Sequence, residues 1–367
     1  MKKISFRTFG LKRIDTYIIK KFLGTYFFSI VLILSISVVF DITEKLDNFV
    51  SHNAPLKAIV LDYYLNFIPF YMNMFSPLFT FIAVIFFTSK MATNTEIIAI
   101  LSSGVSFRRL MLPYMISAAV IATISFTLGG FVIPHGTKKM LDFEDKYVRQ
   151  IKQSNATNLQ MEVAKGVIMY IGRFEVSNNT GYQFSLEKFE GKTLASRLTA
   201  ETITWDSLYS WKISNYLQRD FNGMREQITK GISKDTTIMV QPEEFYITAA
   251  EAPQMSIVKL GSYLKRQRER GVGNIKLFED DYYKRFSMPL AAFIMTLIGV
   301  SLSSRKVRGG MGLHLGVGLA LSAIYILFSA MSTSFSVNGS MSAFAAVWIP
   351  NVVFLLVGIY LYNTAPK

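Results

Sequence analysis

The sequence predicts an α-helical membrane protein of six transmembrane helices, with an all-β domain inserted after the third helix. Three features predict it: long stretches free of Asp, Glu, Lys and Arg, basic residues crowded on one side of those stretches, and short alternating segments between the third and fourth. Of the 367 residues, 51% are hydrophobic and 14% aromatic, and the mean hydropathy is +0.31. This composition argues against a water-soluble chain.

A hydrocarbon core roughly 30 Å thick takes about 20 apolar residues as a helix. Residues 22–40, 63–89, 110–134 and 286–304 are such runs and contain no charged residue. A fifth run, residues 309–366, is too long for one crossing, and the polar, turn-forming segment 332–342 (STSFSVNGSMS) divides it into two spans. Pro69 and Pro77 fall inside the second span, where proline kinks a helix. After the first run come Asp41, Ile42, Thr43 and Glu44 rather than a small-residue cleavage site, so the run is read as a retained span, not a signal peptide.

Lys and Arg in short segments resist translocation, so their asymmetry sets orientation. One side carries Lys2, Lys3, Arg7, Lys12, Arg13, Lys20, Lys21, Lys90, Arg108, Arg109, Arg305, Lys306, Arg308 and Lys367, whereas the opposite short connections carry only Lys45 and Lys57. Both termini are therefore expected in the cytoplasm, and residues 135–281 outside it. Offset only by Asp15 and Glu96, the basic side accounts for nearly all of the net charge of +14, so no excess remains to indicate nucleic-acid binding. The chain has no cysteine and three scattered histidines, His52, His135 and His314. Disulfides, thiolate metal sites and cysteine nucleophiles are excluded, and neither a histidine-rich metal centre nor a cofactor is expected.

Three regions follow: residues 1–134 with the first three spans, 135–281 as a separate extracytoplasmic domain, and 282–367 with the last three. The middle region holds 21 basic and 19 acidic residues. Its alternating segments 166–174, 182–189, 196–205, 211–221 and 236–240 are read as antiparallel strands of a sandwich or an open barrel. It closes with a helix capped by Ser256, with Leu260, Tyr263 and Leu264 on one face and Gly271 as the stop. Lys265, Arg266, Arg268 and Arg270 form its solvated face, with contact to lipid phosphate as the sharper alternative. Lys284 and Arg285, just before the fourth span, are interfacial anchors or phosphate contacts.

Between the second and third spans, Thr93, Asn94, Thr95 and Glu96 have capping-box spacing, Ile97, Ile98, Ile100 and Leu101 follow, and Gly104 is a helix stop. A short amphipathic cytoplasmic helix over about 93–104 results. It has the form of a coupling helix that docks in a groove of a cytosolic partner; the alternative is that Glu96 only caps and the isoleucines only pack on the chain's own spans. Gly312 and Gly316 make a small-xxx-small pair in the fifth span, either a gate seam between subunits or tight packing within one. His314 is read as structural.

TEIIAILSSGVSFRRL (95–110), MSIVKLGSYLKRQRERG (255–271) and YYKRFSMPLAAFIMTLIGVSLSS before a basic turn at 305–308 resemble the LptF/LptG permeases, the membrane subunits of the lipopolysaccharide export ABC transporter. The resemblance covers essentially the whole chain and rests on order, spacing and topology rather than on one specific motif. It implies a bacterial inner-membrane subunit that pairs with a homologous six-span permease and sits on a cytosolic ABC ATPase dimer. Lipopolysaccharide then passes laterally between the two permeases to a periplasmic jellyroll domain and along periplasmic jellyroll bridge proteins. In the family an acidic residue of the coupling helix pairs with a basic residue of the ATPase, and Glu96 occupies that position. Where some members carry a substrate-contacting lysine near the outer end of the first span, this chain has Asp41, with Lys45 one turn on as a possible substitute or an ordinary interfacial lysine.

ATP hydrolysis by the chain itself is disfavoured: Gly191, Lys192 and Thr193 have Leu186 where a G-x-x-x-x-G-K-[ST] loop needs its first glycine. Two rival functions stay open, a different ABC-type lipid or lipoprotein exporter and a membrane enzyme built on Asp41, Glu44 and Asp47.

Overall fold

The computed structural model describes residues 12–149, 156–175, 177–223, 225–246, 249–270, 275–305 and 310–365. Lys2, Lys3, Arg7, Gly271, Lys306, Arg308 and Lys367 lie outside the described residues. The chain divides into two compact units, one of Met1–Gln150, Pro253–Ile257 and Glu279–Lys367, the other of Ile151–Ala252 and Val258–Phe278.

The first unit is helical. In chain order it contains α1 (Arg13–Ser51), α2 (Leu56–Ala58), a π-helical stretch Ile59–Tyr64, α3 (Leu65–Met74), α4 (Ser76–Thr93), α5 (Glu96–Ser102), α6 (Phe107–Thr127), a second π-helical stretch Leu128–Val132 and α7 (Ile133–Tyr147). After the β unit and its helix α8 (Ile257–Arg270) come α9 (Lys276–Ser303), α10 (Gly310–Val337) and α11 (Ala343–Thr364). Among the described residues, six helices are long and apolar enough to cross a membrane: α1, α4, the continuous Phe107–Tyr147, α9, α10 and α11.

Three spans differ in detail from the expectation. The second is not one kinked helix: it breaks at Phe75, and Pro77 sits in the first turn of α4, where its missing N–H has no helical partner to lose. The third does not stop at Pro134. It continues through α7, which buries Met140, Phe143 and Glu144 and exposes Lys138, Lys139, Asp142 and Lys146. The fifth runs through the serine-rich segment to Val337, because hydroxyls there bond to carbonyl groups: Thr333 donates to Ser329 O at 3.0 Å, Ser334 to Ala330 O at 3.1 Å and Ser332 to Ala346 O at 2.5 Å.

Helix α4 is the centre of the helical unit, with 13 of its 18 residues buried. α1 and α10 both pack on it. α1 buries a single stripe, Asp15, Ile18, Phe22, Tyr26, Ile30 and Leu34, plus Phe49, and exposes most of its other apolar residues. One set of polar groups buried among the spans is paired across three helices. Tyr325 donates to Asn351 Oδ1 at 2.8 Å and Asn351 donates to Ser287 O at 2.9 Å, tying α9, α10 and α11 together.

The second unit is one open antiparallel sheet of six strands in sequential order: β1 (Ala156–Ala164), β2 (Val167–Glu175), β3 (Thr180–Glu190), β4 (Thr193–Ser207), β5 (Ser210–Asn222) and β6 (Arg225–Thr237). Met169, Ile171, Phe174, Phe184, Leu198, Ile203, Trp211 and Ile213 form its core with Ile238, Val240 and Phe245. The Trp211 indole donates to Val240 O at 3.0 Å. The last strand therefore lies at Arg225–Thr237, ahead of the expected 236–240, and β1 was not anticipated. β6 is exposed along both faces and carries Arg225, Glu226, Lys230, Lys234 and Asp235, so it shows no apolar alternation; charge on an edge strand protects it from pairing with another chain. α8 buries Leu260, Tyr263 and Leu264 and exposes Lys265, Arg266 and Arg268.

Candidate functional site

Only Asn94 and Thr95 separate α4 from α5, so the chain turns sharply there. Thr95 takes a left-handed conformation, φ +61°, uncommon for a β-branched residue. The capping box is consequently not formed. Thr93 ends α4, Thr95 precedes α5, and the Thr95 hydroxyl donates to Asn94 O at 2.6 Å rather than accepting from the helix. Gly104, φ +85°, ends the segment as expected, its N–H donating to Leu101 O at 3.0 Å.

Within α5 the two isoleucines at the start face opposite ways: Ile97 is 1% exposed and Ile98 50%. Ile97 belongs to the helical core, Ile100 and Leu101 pack against it half-buried, and Ile98, Ala99, Ser102 and Ser103 stay exposed. Glu96, at the head of α5, accepts from Asn94 Nδ2 at 3.1 Å and from the Tyr17 hydroxyl of α1 at 3.3 Å. The Tyr17 ring is set edge-on against Phe87 of α4, at 6.1 Å between centroids.

A partner of this segment escaped the sequence reading. Ser106 caps α6 by accepting from Arg109 N. The Arg109 guanidinium forks onto Asp15, donating to Oδ1 at 2.8 Å and Oδ2 at 2.5 Å. Asp15 also takes Lys12 N–H at 2.7 Å and so closes the first turn of α1. Asp15 is thus not a mere counter-charge on the basic side but one half of a bidentate pair between residues 94 positions apart.

Lys45 stands about 45 Å further along α1 at the ~1.5 Å helical rise. It lies 2.9 Å from Asp41 and 3.0 Å from Glu144, and bonds the Tyr63 hydroxyl. Tyr64 donates to Asp41 at 3.0 Å, and Arg149 donates to Glu144 at 2.9 Å. Phe49, Phe67, Met140 and Phe143 enclose the group. Two carboxylates thus already neutralise Lys45. Arg285 is buried, donating to Asp281 at 2.7 Å and Met255 O at 2.6 Å. Lys284 lines a cavity of about 270 Å³ with Asn73, Ser125, Gly129 and Met288.

The glycines of α10 differ sharply. A methyl group at Gly318 would lie 2.2 Å from Ile85 Cδ1 of α4, whereas one at Gly312 or Gly316 would meet, among the described residues, no atom within 4 Å beyond its own stretch of helix. Among the described residues the small-xxx-small pair has no packing partner outside its own helix, and the contact with α4 is made at Gly318. His314 is bonded at Nε2 to Arg305 O at 3.1 Å.

A family model described as "Lipopolysaccharide export system permease LptF/LptG" matches residues 16–364. The chain is similar to the "Lipopolysaccharide export system permease protein LptG" of Escherichia coli strain K12, 19% identical over 359 residues that span 95% of this chain and 97% of that one. The protein of the same description from Escherichia coli O6:H1 aligns equally, at 19% over 359 residues.

Proposed function

The chain belongs to the LptF/LptG family of lipopolysaccharide export permeases, and on that premise we propose that α5 is the coupling helix through which a cytosolic ABC ATPase dimer drives it. It is a multi-pass protein of the inner membrane. In this reading both termini and α5 face the cytoplasm and the β unit faces the periplasm, where jellyroll bridge proteins receive the lipid.

One observation carries the proposal: α5 is anchored on one side and free on the other. Ile97 roots it in the helical core while Ile98, Ala99 and Ser102 stay exposed. A stub so fixed transmits a push instead of absorbing it. Glu96 keeps acceptor capacity beyond Tyr17 and Asn94 for a basic residue of the ATPase. The open flank of Gly312 and Gly316 supports a seam with a homologous six-span subunit. Lys284 is the basic group offered to a lipid phosphate, Arg285 holds its helix in place, and Lys45 serves the substrate only once released from Asp41 and Glu144.

The test is Glu96→Lys in the complex purified with its co-eluting ATPase. ATP hydrolysis and lipopolysaccharide release from proteoliposomes should both fall about tenfold, the loss of a close charge pair at an interface. Wild-type release by this variant refutes the assignment.

A further inference from the structure

The α5–α6 segment makes two polar contacts with the inner end of α1. Arg109, in the first turn of α6, forks onto Asp15; Glu96, the first residue of α5, accepts from Tyr17. The Asp15 side chain is 4% exposed. From Ile18 to Leu34 α1 rests on its neighbours through one narrow, mainly apolar stripe, a contact that permits sliding more readily than a bidentate charge-assisted bond does. We infer that Asp15 and Tyr17 are positioning residues that clamp the inner end of α1 to the α5–α6 segment, so that the two move as one body and displacement of α5 reaches α1. This rests on the coupling reading of α5 and adds the route by which motion leaves it.

The geometry supplies its own test. Ile14 and Val105 line one small cavity together with Asp15, Ile100 and Arg109, and the native chain has no cysteine. Ile14→Cys with Val105→Cys, joined by a short bismaleimide in the assembled complex, locks α1 to the α5–α6 turn. Release of lipopolysaccharide per ATP hydrolysed from proteoliposomes should be unchanged by the lock. Asp15→Asn, which keeps an acceptor for Lys12 N–H but removes the charge, should lower that ratio about fivefold or more, the small end of typical coupling between sites. The lock should restore it in the Asp15→Asn background, which a purely structural role of Asp15 would not allow. The inference is overturned if the lock stops release in the otherwise native chain, if Asp15→Asn leaves the ratio unchanged, or if the lock fails to rescue it. Failure of the underlying coupling reading shows elsewhere, as unaltered hydrolysis and release in Glu96→Lys.

Discussion

Arg109 and Asp15, 94 residues apart in sequence, meet through two parallel hydrogen bonds at 2.8 and 2.5 Å. Through them the first turn of α6 holds the first turn of α1. Because a third of the Arg109 side chain remains exposed, Asp15→Ala should cost about 2 kcal/mol, less than the ~3–5 of a wholly buried pair that loses one partner. Asp15→Asn should cost less, since it retains the cap. Thermal unfolding of the detergent-solubilised chain measures both, and equal costs would show that the cap contributes nothing.

Lys45 is predicted to be chemically shielded. Glu144 shares its charge between Lys45 and Arg149. Glu144→Gln leaves Lys45 with Asp41 as its one ionic partner among the described residues. Modification of Lys45 by an amine-reactive reagent, followed by mass spectrometry, should accelerate severalfold in this variant. An unchanged rate would mean that Glu144 does not shield Lys45.

The glycines of α10 should separate by role. Gly318→Ala forces a methyl group into Ile85 and should cost about 1–3 kcal/mol, as overpacking does. Gly316→Ala should hold or raise stability by up to ~1 kcal/mol, because alanine is the better helix former. Gly316→Leu should instead reduce recovery of a co-purifying homologous subunit; full recovery would remove Gly316 from the seam.

In the β unit, the Ser196 hydroxyl at 2.6 Å and then the Gln218 amide hold the Asp220 carboxyl below its ordinary value of 3.8. A group depressed on folding contributes stability above its unfolded value and loses that contribution as pH falls through the folded one. Asp220→Asn should therefore flatten the acid limb of stability below pH 3.8 and leave its form near neutrality unchanged. Acid titration followed by circular dichroism decides it; an identical acid limb in both proteins would assign the bond no share.

Much of the candidate site was legible because it depends on neighbours in sequence. Gly104 ends α5 through a left-handed turn, which glycine tolerates. The alternation of Ile97 and Ile98 likewise marks an amphipathic segment. The capping-box spacing is not realised because α4 runs on through Thr93 and leaves no room for a cap there, which spacing alone does not show. β6 lies ahead of the expected 236–240 because an edge strand exposed on both faces carries no periodic apolar signal.

Span number, the inserted β domain and the basic asymmetry are properties of composition along the chain, since transfer from water to hydrocarbon is counted residue by residue; the sequence alone determined them. Which polar side chains find each other was decided only in the tertiary structure. Arg109 reaches Asp15, Lys45 is taken by Glu144, and Gly318 rather than Gly316 receives Ile85, because these outcomes depend on helix rotation and separation. Packing sets those quantities between segments far apart in the chain, and no local pattern encodes them.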